Sequence, residues 1–342
     1  MKLSTWLIRR LIQAIGVLLG LSILVFLITR VMPGNPARVA LGARAPQEVV
    51  EELERRMHLN DPLYLQYYYW LSGVFHGDFG ESLFTRRPVL DDIKEYLPAT
   101  MELALMALIF QAVLGVTLGG LAAGHENRWV DHSVRLGAYL GIVTPSFVFA
   151  IVFVLLFGYA LRLFPTMGRL SAGVVAPRVI TGMTVIDGLI TGHFAAVGNA
   201  LWHLILPALS LAMAGIAQES RITRASIVDN LRKDYVGLSR TFFIPERKIL
   251  FKYLLKPSLI PTVSIMGLDF ACMLGHGFLV ELIFNWPGLS RYGMNTMLRK
   301  DLNAVTAVIL VLGVVFVTVN IIVDLVVAYL DPRIRMGTER GT

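Results

Sequence analysis

Six apolar stretches, at 11–32, 99–123, 136–164, 201–217, 259–283 and 304–330, are each long enough to cross the hydrocarbon core of a bilayer as a helix. An ordinary soluble domain carries roughly a quarter charged residues. Here charged residues make up 16% of 342 and hydrophobic ones 55%, which excludes a soluble enzyme and predicts an all-α membrane protein with six transmembrane helices. Lys2, Arg9 and Arg10 precede the first stretch, as they would in a secretory signal. That stretch is longer than a signal's apolar region and has no convincing small-residue cleavage site, so an uncleaved first helix is expected. The single cysteine, Cys272, excludes an intramolecular disulfide and a cysteine-rich metal site, and its apolar neighbours predict a small core residue.

An even number of crossings puts both termini on one side, and the basic residues say which. Arg221, Arg224, Arg232, Lys233, Arg240, Arg247, Lys248, Lys252 and Lys256 fall between the fourth and fifth stretches, and Arg333, Arg335 and Arg340 lie in the tail. Such clusters mark the cytoplasm, so both termini are expected there. The chain then divides into a cytoplasmic end and first helix (1–32), an extracytoplasmic cap (33–98), a five-helix core (99–330) with a cytoplasmic loop at 221–256, and a cytoplasmic tail (331–342). In the cap, Val49, Val50, Leu53 and Met57 recur at helical spacing, and 63–75 supplies aromatics suited to the membrane interface. No nucleophile, base and orienter are recognisable there. The second outer segment, 165–200, has room for only a short helix near 185–190.

The loop after the fourth stretch is too polar to cross a membrane and too long to be a tight connection. Ile222, Ile227, Leu231, Tyr235 and Val236 recur at helical spacing, so the fourth span should continue as an amphipathic helix until Pro245 breaks it. The result is a helix–turn–helix elbow. Phe242, Phe243 and Ile244 beside Arg240 and Arg247 suit a protein-docking surface, and equally a basic hairpin lying on anionic lipid.

That loop resembles the EAA loop of binding-protein-dependent ABC importer permeases, in the branch that carries dipeptides, oligopeptides and nickel. MPGNPA after the first stretch, GDFGESLFTRRPVLDDIKEYLPATMELAL into the second, TPSFVFAIVFVLLFG, HLILPALSLAM, FNWPGLSRYGMNTMLRKDL and DPRIR occur in the order that family shows. The resemblance implies a type I ABC importer permease fold with an extracytoplasmic insertion after the first helix, in the inner (plasma) membrane. It also implies four kinds of partner besides membrane lipid and no nucleic acid: a homologous second permease subunit, two cytoplasmic ABC ATPase subunits and an extracytoplasmic solute-binding protein. ATP and magnesium belong to the ATPase subunits, and no cofactor to this chain.

By the same resemblance Tyr235, Val236, Gly237, Leu238, Ser239, Arg240 and Thr241 form the first helix of the coupling elbow, with Phe242, Phe243 and Pro245 in the turn and Glu246, Arg247 and Ile249 after it. The family usually has glycine before the turn, where this chain has Thr241, Phe242 and Phe243. Either the turn moves to Pro245 or the elbow differs in shape.

The chain has no G-x-x-x-x-G-K-[ST] sequence to hold phosphates and no H-E-x-x-H pair, EF-hand loop or G-x-S-x-G elbow, so neither catalysis nor a resident metal is expected. Ionisable groups inside apolar spans invite a functional reading. Glu102, Glu219 and Asp324 lie toward span ends, where water or a base can satisfy them. Asp269 and His276 lie seven residues apart within the fifth stretch, nearly on one helical face. Two readings stay open for them: contact with the amine and the carboxylate of a short peptide, or polar packing. Since the fifth span lines the translocation path in the resembled family, Met266, Phe270 and Met273 join them as pathway candidates. Glu281, Trp286, Pro287 and Gly288 are outer-gate candidates by the same resemblance, and by local chemistry a turn with an interfacial Trp.

The function expected is that of a permease subunit of an ATP-driven importer for dipeptides or short oligopeptides. A nickel or metal-chelate importer is the rival within the branch. A proton-coupled secondary transporter using Asp269 and His276 is the rival from another class.

Overall fold

The computed structural model describes residues 3–31, 36–42, 45–56 and 58–330. Lys2, Met57, most of the MPGNPA segment, Arg333, Arg335 and Arg340 lie outside the described residues, as do the side chains of Leu53 and Glu246.

Every described element longer than an isolated bridge is helical. Helix α1 (Leu3–Val31) is followed by the short α2 (Pro36–Leu41), α3 (Gln47–Arg56) and α4 (Leu63–Phe75). The second crossing runs from α5 (Val89–Phe110) through a π-helical turn at Gln111–Gly115 into α6 (Val116–Gly124). It therefore begins ten residues before the predicted start at 99: Pro88 precedes it in extended conformation, and Val89, Asp92 and Ile93 are buried in its first turn. The division between cap and core at 98 thus falls inside one helix.

The third apolar stretch is not one straight crossing. Helix α7 (Trp129–Val143) and helix α8 (Ser146–Phe153), with its π-helical extension Val154–Ala160, meet at 106°. Pro145 offers no amide donor and pushes Thr144 out of helical space, to φ −87° and ψ 122°. Counting the bent pair as one, the described residues hold six spans; counting unbroken helices, five.

After the short α9 (Thr184–Thr191), α10 (Phe194–Leu231) runs for 38 residues and is the central element. Two-thirds of its apolar window is buried, against 17% for α1. It packs on α5, α6, α7 and α8. A turn at Arg232–Lys233 leads to α11 (Asp234–Thr241), one turn of helix α12 (Glu246–Lys248) and a π-helical stretch, Ile249–Leu254. Helix α13 (Leu255–His276) is the fifth crossing, and it too packs on α10. It stops at His276 rather than running to 283, and α14 (Phe278–Ile283) is a separate short helix. Helix α15 (Leu289–Leu298) precedes the last crossing, α16 (Leu302–Leu330), which lies between α1 and α13.

The largest core cluster joins Ala99, Leu103 and Ala107 of α5 to Leu204, Leu211 and Ile216 of α10, with Phe284 and Trp286 closing it at the end that carries residues 77–98. At that end, Ser82 donates to Asp301 at 2.6 Å and Tyr292 donates to Asp92 at 2.8 Å, bolting the 77–98 segment onto α15 and the start of α16. The aromatics of α4 turn inward as well as outward. Tyr67 and Trp70 pack on Phe26 of α1, while Tyr64 and Tyr68 are exposed.

Candidate functional site

Two places concentrate the residues that the sequence singles out. The first is a cavity of about 490 Å³ between the break of α7 and α8, the middle of α10 and one face of α13. Asp269, Cys272, Met273 and His276 line it from α13, at the spacing that one helical face requires, and Thr144, Pro145 and Gly215 line it from the opposite walls. Asp269 and His276 thus share a cavity. Cys272, expected in the core, is exposed toward this space instead. Phe270 is a correction of the opposite kind: it points away, buried in a cluster with Ala104 and Leu274, and packs rather than lining the path. Met266 is half-buried and outside the cavity lining.

Asp269 accepts a hydrogen bond from the amide of Gln111 at 3.0 Å. Sequence reasoning passed over Gln111, though a lone amide within an apolar run was the available signal. It also placed Glu219 at a span end within reach of water or a base. Glu219 is completely buried, with neither oxygen partnered among the described residues. Glu102 and Asp324 do find bases: Arg169 reaches Glu102 at 2.5 Å and Arg10 reaches Asp324 at 3.1 Å.

The second place is the elbow. Helix α10 continues as an amphipathic helix to Leu231, and Tyr235 and Val236 begin a new one. Val236 is a correction to the contact set, because its side chain is wholly buried with Ile227, Val228, Ile249 and Leu254. Tyr235, Leu238, Arg240, Thr241, Phe242, Phe243, Pro245 and Arg247 are exposed, and the Ser239 hydroxyl turns back to the Tyr235 carbonyl.

The turn is a Schellman closure with phenylalanine where glycine is usual. The Ile244 amide donates to Ser239 O and the Phe243 amide to Arg240 O, and Phe243 takes φ 56°. Ile244 then packs against the buried cluster of Val236, Ile227 and Ile249. Both alternatives for the missing glycine resolve here: the turn stays before Pro245, and Phe243 itself adopts the left-handed conformation, with its ring 94% exposed.

Around Trp286 the chain forms a closed polar knot. The indole is fully buried and donates to Ala99 O at 2.9 Å, so it is a core anchor rather than an interfacial one. Glu281, also fully buried, accepts from the Thr100 hydroxyl at 2.6 Å and the Arg291 amide at 2.7 Å. A Cβ on Gly288 would collide with the Glu281 carboxylate, so only glycine fits. Pro287 lies beside Gly288 in the wall of a shallow groove with Tyr96 and Arg291. The strap at 165–193 closes over this knot: the Gly168 amide donates to Phe284 O, and Arg169 lies 5.7 Å above the Trp286 ring. Among the described residues no group of three or more His, Cys, Asp or Glu side chains is placed to hold a metal ion.

A helical bundle with a bent third span, a cavity against its central helix and a basic elbow has the architecture of a membrane-embedded component. The comparisons make that specific. Residues 115–336 match the family described as binding-protein-dependent transport system inner membrane component, and residues 3–104 match that family's N-terminal region. The chain belongs to this family. It is 37% identical over 321 residues to the probable D,D-dipeptide transport system permease protein DdpB of Escherichia coli (strain K12), covering 94% of each chain. It is 36% identical over 331 residues to the dipeptide transport system permease protein DppB of Alkalihalophilus pseudofirmus, covering 96% of this chain and 98% of that one. The glutathione transport system permease protein GsiC of Escherichia coli (strain K12) is 33% identical over 330 residues, again with 96% and 98% covered. An inner-membrane protein of the ABC importer permease class follows.

Proposed function

We propose that this chain is one permease half of an ATP-driven importer of dipeptides or short oligopeptides, working with a homologous permease, two ATPase subunits and an extracytoplasmic solute-binding protein. Three relatives similar along nearly their whole length are named for D,D-dipeptides, dipeptides and glutathione, all short peptides, which supports that cargo class. The basic elbow faces the cytoplasm, and with it both termini.

The observation that carries the mechanism is the exposed apolar knob of Leu238, Phe242 and Phe243 on a rigidly closed turn, flanked by Arg240 and Arg247. Aromatics and arginines so placed suit seating in a groove of another protein. Val236 and Ile244 beneath the knob join it to α10 through Ile227 and Val228. Closure of the ATPase pair is thereby transmitted into the central helix, and the cavity against α10 and α13 is the path on which cargo meets Asp269 and His276.

Phe243→Asp separates docking from folding, because the ring contacts solvent. The variant should insert into the membrane normally and fail to co-purify with its ATPase. Normal co-purification would overturn the docking assignment. Uptake of a labelled dipeptide by the reconstituted complex, dependent on ATP and unaffected by a protonophore, tests the energy source. Uptake lost to the protonophore with ATP present would overturn it.

A further inference from the structure

Three buried oxygens behind the cavity lack a partner among the described residues: Gln111 Oε1, Glu219 Oε1 and Glu219 Oε2. All three are acceptors, so what the cluster lacks is a donor. The packing holds them together. Gln111 opens the π-helical turn and Gly115 ends it, while Gly215 and Glu219 lie one turn apart on α10. A Cβ on Gly115 would sit 2.8 Å from Glu219 Oε2, and one on Gly215 would overlap the Gln111 amide. Each polar side chain is therefore seated on a glycine of the other's helix. A π-turn at such a place is a recurrent mark of a functional site.

The Gln111 amide has already spent an N–H on Asp269. Its oxygen needs a donor that an ionised Glu219 does not have. A carboxyl group completely buried and unpaired between membrane helices is heavily penalised as an anion, and as a neutral acid it supplies one O–H. We infer that Glu219 is held as a carboxylic acid donating to Gln111 Oε1, so that Gln111 steadies Asp269 as a single carboxylate facing the cavity, the acceptor for the terminal ammonium of a transported peptide.

The ligand class rests on the peptide reading above, whereas the hydrogen-bond chain does not. Among the described residues Asp269 is the one carboxylate lining this cavity, and the Cys272 thiol and the His276 imidazole line it from the same helix face. Opposite stand the Thr144 and Ser146 side chains and the apolar Leu211. Seven residues of helix separate Asp269 and His276 by about 10 Å along the axis. At about 3.3–3.6 Å per extended residue, that matches a tripeptide lying with its amine at Asp269 and its carboxylate at His276, while a dipeptide, about 7 Å long, engages Asp269 through its amine.

Infrared difference spectroscopy of wild type against Glu219→Gln, in nanodiscs at neutral pH, reads the proton directly. The expected result is loss of a carboxylic-acid C=O stretch. Loss of a carboxylate band instead overturns the chain whatever the cargo is. Saturation-transfer NMR on the assembled transporter without receptor, with alanylalanine and N-acetyl-alanylalanine as probes, reads the ligand. Signal is expected for the free-amino peptide alone, lost in Asp269→Asn, weakened about tenfold in affinity in Glu219→Leu, and retained in Glu219→Gln, whose amide N–H still serves Gln111 Oε1. Equal signals from both peptides, or none from wild type while ATP-driven dipeptide uptake persists, overturns the ammonium site and leaves the importer reading standing.

Discussion

Arg224 on α10 grips both oxygens of the fully buried Asp131 at the start of α7, with Nε 2.6 Å from Oδ1 and Nη2 2.7 Å from Oδ2. The paired fork fixes the angle of α7 against the central helix, just above the elbow. Arg224→Lys keeps the charge but not the planar pair of donors, so it is not conservative here. Arg224→Ala leaves the buried carboxylate with the Asn127 amide at 3.0 Å and Arg135 at 3.8 Å, and should cost about 1.5–3 kcal/mol for the lost charged hydrogen bonds. The joint Arg224→Ala, Asp131→Ala variant, which leaves no unpaired charge, should be the milder of the two. Thermal unfolding of the purified protein in lipid, read by intrinsic fluorescence, decides the order; a double variant worse than the single would show that the pair acts by packing instead.

Gly288 lies against Glu281 with no space for a side chain. Gly288→Ala should therefore displace the carboxylate from Thr100 and the Arg291 amide, at a cost of about 1–3 kcal/mol for forced overpacking. Trp286→Phe removes one buried hydrogen bond, to Ala99 O, and should cost about 1 kcal/mol beyond its lost contact area. Protease susceptibility of 277–300 in nanodiscs should rise in both, and more in the glycine variant.

Phe243 holds φ 56° without being glycine. Phe243→Gly should relieve about 1 kcal/mol of backbone strain and raise the melting temperature slightly, while removing the exposed ring. Co-purification with the ATPase should fall even as the protein becomes more stable. A variant that gains stability and keeps full association would show that the ring is not the docking group.

Asp187 anchors the 178–191 strap. Burial works to raise its pKa and is outweighed by hydrogen bonds from the Thr181 amide and hydroxyl and the Ile180 and Gly182 amides, leaving the carboxyl below its ordinary value. Since the folded value is depressed, its contribution is fully present above the unfolded value and is lost as pH falls through the folded one. Exchange protection at 180–187, taken relative to the intrinsic rate at each pH, should be high at neutral pH and fall once the pH drops below the ordinary Asp value of about 3.9. In Asp187→Asn the same amides should be weakly protected throughout.

Much of the architecture was legible along the chain. The apolar stretches located the crossings and the basic residues located the elbow, while the helix expected to run unbroken to Pro245 is interrupted at Arg232–Lys233 and turns at Phe242–Phe243. Pro145 was visible too, but hydropathy averages over it, so the bend of the third span went unread. The seven-residue spacing of Asp269 and His276 correctly put them on one face of α13. The same spacing logic cannot say which face looks inward. Family resemblance has the same limit, since it places Phe270 and Val236 on functional elements although both side chains face the core, and apolar neighbours alone place Cys272 in the core although it lines the cavity.

The sequence alone therefore determined that this protein lives in a membrane, where its apolar stretches lie and which family's landmarks it carries, because hydropathy, charge and motif order are sums over neighbours in the chain. Only the tertiary structure decided where polar groups end up: that Glu219 is sealed behind Gln111, that Trp286 is a core anchor, and that Phe243 stands free. The sealing of Glu219 and the knot of Glu281 beside Trp286 depend on gaps left by Gly115, Gly215 and Gly288 on segments far apart in sequence. A pattern read along one helix carries no information about the shape of the helix opposite.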